Sequence, residues 1–178
     1  MGKDKKKVLA ISGSIRKNSS NHSLLTAIAG MTAGELDITI PGSIADLPHF
    51  DPDRNIENVP VAVAEFRQRI GQSDGVIICT PEYAHGVPGV LKNAIDWTVS
   101  SSDFYHKPTV LITASSDGRY GHQSLLETLR VIEAKDVDEL QLLIQFIKTK
   151  IDGSGRIIDE GTQREVKQLM DKFIRCLS

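Results

Sequence analysis

The sequence predicts an α/β fold of the doubly wound class, a parallel sheet with helices on both faces. Three observations carry this. Short apolar runs rich in Val, Ile and Leu recur along the chain, and segments with helical spacing lie between them. The runs are continuous rather than alternating, as in strands covered on both faces. A length of 178 residues suits one domain spanning residues 1–178.

The elements follow in order. Val8–Ser12 reads as the first strand, Leu36–Ile40 as a weaker one, and Gly75–Thr80 and Thr109–Ala114 as buried ones. A last strand is expected within Val137–Ile144. Helical segments are expected over Ser23–Met31, Pro60–Gly71, Pro88–Val99 and His122–Ala134, with Asn21 capping the first and Asn58 the second. Thr162 and Glu165 have capping-box spacing at the start of the last helix, whose face carries Val166, Leu169, Met170, Phe173 and Leu177. Pro41–Asn58, rich in Pro, Asp and Asn, reads as a long surface excursion.

Composition narrows the function. Apolar residues at 40% and charged residues at 25% exclude wholesale disorder. Against 23 acidic residues stand 21 Lys and Arg, a net charge of −2 that argues against broad nucleic-acid binding. Lys3, Lys5, Lys6 and Lys7 form the basic run, read as a solvated tail with residues 1–6 flexible. The two cysteines, Cys79 and Cys176, have neither disulfide-framework nor metal-site spacing. No run approaches the roughly 20 apolar residues of a membrane span. A reduced, cytoplasmic protein without a metal site, membrane or nucleic acid is the expectation.

In such a sheet, ligands bind beyond the carboxyl ends of the strands. The loop after the first strand, Ser12 to Ser23, precedes a helix N-terminus, where free amides and the helix dipole favour an anion. It offers Ser hydroxyls and Arg16, whose planar guanidinium matches phosphate oxygens. The nucleotide motifs GxxxxGK[ST] and GxGxxG are absent. A Ser/Asn-rich turn with nothing bound is the alternative. In the second loop, Pro81 stiffens the turn, and the amides of Glu82 and Tyr83 are candidates to face a planar heterocycle. The third, Ser115–His122, has two glycines that permit close approach of a ligand.

The helix Pro88–Val99 has an apolar arc of roughly 200° at 100° per residue, about twice what one sheet face needs. A partner subunit in a two-fold dimer would cover the excess; cover from the Pro41–Asn58 segment is the alternative. His85, His122 and Cys79 read as polar surface or core rather than as reacting groups.

Gly13-Ser14-Ile15-Arg16-Lys17-Asn18-Ser19-Ser20-Asn21 resembles the GSxRxxSxN phosphate loop of the NADPH-dependent FMN reductase family. Pro81-Glu82-Tyr83, with Pro88-Gly89-Val90-Leu91-Lys92-Asn93-Ala94-Ile95-Asp96-Trp97, resembles its PEYNxSxPGxLKNAIDW segment. The resemblance implies a flavodoxin-like fold of strand order 2-1-3-4-5 with FMN at the switch point. It implies that Ser14, Arg16, Ser19 and Asn21 hold the phosphate, with Ser12, Ser20 and Ser23 beside them. Pro81, Glu82 and Tyr83, with Ser115 and Gly118, would border the flavin ring. It further implies a homodimer, in some members paired into a tetramer. The reaction implied is hydride transfer from NADPH or NADH to FMN, then transfer to an acceptor such as a quinone, free flavin, azo compound or metal oxyanion. No side chain need act as nucleophile or acid/base, so none is assigned a catalytic role. An electron carrier or an FMN-binding redox sensor is the alternative. The sequence departs from the motif at Ala84 for Asn and Gly86 for Ser, and in the third loop. There Asp117, if near the ring, would oppose negative charge and Arg119 offset it.

Overall fold

The computed structural model describes residues 4–177. The strands are β1 (Lys6–Ser12), β2 (Leu36–Thr39), β3 (Gly75–Thr80), β4 (Thr109–Ser115) and β5 (Gln141–Gln145). Among the described residues they form one parallel sheet in the order β2-β1-β3-β4-β5. The helices are α1 (Ser20–Met31), α2 (Val61–Gly71), α3 (Gly89–Asp96), α4 (Arg119–Val131) and α5 (Glu160–Cys176).

Alternate residues of the central strands enter different cores, which is why these strands are apolar throughout. Val8, Ala10, Ile77, Cys79, Val110 and Ile112 pack with α1 and α5. Leu9, Ile11, Val76, Ile78 and Leu111 pack with α2, α3 and α4 on the opposite face.

Several boundaries differ from the sequence reading for identifiable reasons. β1 starts at Lys6, which pairs with Leu36, and the Lys5 ammonium donates to the Ala33 carbonyl at 2.6 Å. The sheet thus claims the end of the expected tail; Lys3 lies outside the described residues. Ser19, not Asn21, caps α1, which starts three residues early. Asn58 does not cap α2; Pro60 stands at the N-cap without a side-chain hydrogen bond. Asp159 caps α5, accepting from the backbone N–H and the hydroxyl of Thr162 at 2.8 and 2.7 Å. Thr162 is therefore the partner of the cap rather than the cap.

The apolar arc of α3 has cover within the chain. Trp97 is fully buried, and its Nε1–H donates to the Pro48 carbonyl at 2.8 Å. Phe50 meets the Trp97 ring edge-on at 5.2 Å. Asn93 clamps the same segment, donating to Pro48 and accepting the Phe50 N–H at 3.0 and 2.7 Å. The excursion over residues 41–58 thus seals much of the arc that argued for a partner subunit, while Val99 stays 53% exposed.

Candidate functional site

A cavity of about 500 Å³ lies at the carboxyl edge of the sheet. The loop after β1 supplies Ser14, Arg16, Ser19, Ser20 and Asn21 to its wall. The loop after β3 supplies Pro81, Glu82 and Tyr83, and the end of β4 supplies Ser115.

Gly13 sets the path of the first loop. Its N–H donates to the Cys79 carbonyl at 2.8 Å, and a Cβ there would lie 2.3 Å from the Thr80 hydroxyl. Only glycine lets the chain run so close to β3. Ser12 does not line the cavity. Its hydroxyl donates to the Ser14 carbonyl at 3.1 Å and accepts the Ser14 N–H at 3.2 Å, closing the turn from inside.

Ser19 accepts the His22 N–H at 3.4 Å on its hydroxyl and the Ser23 N–H at 3.0 Å on its carbonyl, which leaves the Ser20 and Asn21 amides of the first turn without intrahelical partners beside the cavity. Asn21 fixes this helix start to the sheet. Its Nδ2 donates to the Ala114 carbonyl and its Oδ1 accepts from Cys79 Sγ, both at 3.3 Å. Burial pushes the Cys79 thiol far up, so it stays protonated as that donor. Arg16 is exposed on the cavity wall with no partner among the described residues.

The second loop is tied to the third. The Glu82 carboxylate accepts the Gly121 N–H at 2.6 Å and the Gly118 N–H at 3.4 Å, filling the N-terminus of α4. The Glu82 N–H donates to the Ser115 hydroxyl at 3.2 Å, and the Tyr83 N–H to the Gly86 carbonyl at 3.1 Å. Both amides that the sequence offered to a heterocycle are thus already engaged. Gly118 lies off the cavity wall, at φ +92, where a Cβ would meet Leu143 at 2.8 Å. Its role here is to turn the chain into α4.

Asp117 and Arg119 pair with each other at 2.8 and 3.0 Å, and Gln145 donates to Asp117 at 2.8 Å. The Arg119 contact holds the Asp117 carboxyl below its ordinary range, and neither residue lines the cavity. His122 is buried between Thr113 and Gln141, at 2.9 Å from each, and burial lowers its pKa. His85 stacks near Tyr120 with centroids 4.3 Å apart.

Sequence reasoning missed part of the wall. Asn18 and Ser116 line it from the loops already recognised. Phe146, Lys148 and Thr149 reach it from the segment after β5, where the sequence carried no motif.

The model of the NADPH-dependent FMN reductase family matches residues 6–149. The chain belongs to that family. It is 32% identical over 168 residues to an NAD(P)H-dependent FMN reductase of Pseudomonas aeruginosa, covering 91% of this chain and 90% of the relative. Against a quinone reductase of Escherichia coli K12 it is 35% identical over 167 residues, covering 89% and 88%. The NAD(P)H:acceptor oxidoreductase FerB of Paracoccus denitrificans superposes with a TM-score of 0.78, at 26% identity and 97% coverage of both chains. As a member of the FMN reductase family the protein is a flavin-dependent oxidoreductase using NAD(P)H. The site fits FMN on its own terms: an unpaired Arg16 and a helix N-terminus for the phosphate, and an open cavity walled by the β3 and β4 loops for the ring.

Proposed function

We propose that this FMN reductase family member uses the cavity to pass electrons from NAD(P)H through FMN to a quinone. The observation that carries the reading is the meeting of the Arg16 loop and the Pro81–Tyr83 loop on one cavity. The quinone is favoured by the Escherichia coli relative.

FMN, when bound, would supply the hydride and electron-transfer chemistry. The chain supplies binding and orientation. Arg16 would hold the phosphate by a charge-assisted contact, and Ser14, Ser19 and Ser20 would offer hydroxyls. Asn21 holds the start of α1 on the ends of β3 and β4. Glu82 holds the ring-side loop against α4. Ser12 and Gly118 act through backbone shape rather than by contact. No side chain is assigned a proton-transfer or nucleophilic role.

The proposal includes one domain over the chain, because elements from β1 to α5 share the two cores. It includes a homodimer, as the family resemblance implies, with exposed Val99 on the end of the α3 segment at the contact. It also includes a cytoplasmic setting, consistent with two free thiols. No helix among the described residues is long and apolar enough to cross a membrane. Sedimentation of the holoprotein tests the dimer.

The function is tested by loading the protein with FMN, removing the excess and adding NADPH anaerobically. Loss of the visible flavin band, restored by a quinone, is the expected result. A flavin that binds but keeps its colour would favour the carrier or sensor instead.

A further inference from the structure

Two aromatic side chains on the cavity wall have no aromatic neighbour among the described residues. Tyr83 is 50% exposed and comes from the β3 loop; Phe146 is 65% exposed and follows β5. Exposed aromatics are ordinary singly, but two on one concave wall mark a binding surface.

The backbone of Phe146 is held in place. It sits in the left-handed region, at φ +53 and ψ +37, which non-glycine residues seldom adopt. Its N–H donates to the Ser116 carbonyl at 3.2 Å. Its carbonyl accepts the Thr149 N–H and hydroxyl, both at 2.9 Å. Three hydrogen bonds thus fix a costly conformation that turns the chain out of β5 and leaves the ring on the cavity wall. Tyr83 is anchored as well, by paired backbone hydrogen bonds with Gly86 at 3.1 and 2.9 Å. The backbone that carries each ring is thus set before a flat ligand arrives.

We propose that Phe146, together with Tyr83, is a specificity-determining element that grips planar aromatic acceptors. The protein thereby favours fused-ring quinones over small inorganic oxidants, which have no face to stack. This rests on the FMN reductase reading. A ring contact of this kind contributes about 2- to 12-fold in affinity.

The test uses FMN-loaded protein and two substitutions, Phe146→Ala and Phe146→Tyr. Calorimetric titration of 2-naphthol, a flat probe that accepts no electrons, reads binding alone. Turnover with a naphthoquinone and with ferricyanide reads selectivity. Phe146→Ala is expected to weaken 2-naphthol and lower kcat/KM for the naphthoquinone by about 2- to 12-fold, a greater loss than for ferricyanide. Phe146→Tyr is expected to restore both. Equal 2-naphthol affinity in all three proteins would overturn the proposal, as would equal losses for both acceptors. If Phe146→Ala does not fold, Phe146→Leu replaces it with the same expectation. Failure of the wild type to bind FMN or to lose its colour with NADPH would instead strike the function itself.

Discussion

The carboxylate of Glu82, in the loop after β3, accepts the backbone N–H of Gly121, in the first turn of α4, at 2.6 Å. Gly118, at the N-cap of α4, has no side chain to cap it, so the cap comes from 36 residues upstream. One residue of the flavin-side loop therefore also completes a helix. Replacing Glu82 with Ala removes a charged cap and leaves half-buried amides without a partner. A loss of about 1–2 kcal/mol in urea unfolding is expected, with weaker FMN retention because the loop loses its tether. Unchanged stability would show that water serves these amides equally well.

Arg16 has no partner among the described residues, so its removal should not disturb the fold. The Arg16→Ala protein is expected to unfold like the wild type without cofactor but to bind FMN about 10- to 150-fold more weakly, the range for a charge-assisted contact. Riboflavin, which lacks the phosphate, is expected to bind both proteins alike. Flavin fluorescence quenching measures both constants, and an equal loss for riboflavin would place Arg16 at the ring instead.

The turn after Tyr83 carries strain. Ala84 and His85 both have positive φ, 48° and 57°, in a two-residue turn of the type that favours Asn and Gly. Ala84 stands where the family motif has Asn, whose side chain tolerates this region better. Ala84→Asn is expected to raise stability by about 1 kcal/mol, or about 2–4 °C in melting temperature. A lower melting temperature would mean that the Asn side chain meets a cost the backbone gain does not offset.

His122 is expected to make the fold sensitive to acid. Burial lowers its pKa from the ordinary 6.5, so the unfolded chain takes up the proton first as pH falls. The contribution to stability is complete above pH 6.5 and is lost as pH falls through the lowered native value. The melting temperature of the wild type is expected to fall from pH 7.5 to 5 more steeply than that of His122→Gln (roughly the span across a histidine titration). Parallel slopes would assign the acid sensitivity to other groups.

Much of this molecule is determined by the sequence alone. The continuous apolar runs of β1, β3 and β4 announce strands with cores on both faces, because alternate residues must be buried on each side. The Ser14–Asn21 and Pro81–Tyr83 segments reveal their chemistry locally, through hydroxyls, a guanidinium and turn-forming prolines. Tertiary structure alone decided the rest. Asn21 looks like a cap in sequence, yet its contacts with Cys79 and Ala114 exist only once β3 and β4 lie side by side. The α3 arc looked unpartnered until the 41–58 excursion folded over Trp97. Phe146 carries no sequence signal, because a place on the cavity wall depends on the order in which strands pair. Local periodicity records which face of an element is buried; which distant element buries it, and which loops then share a cavity, is a property of the packed chain.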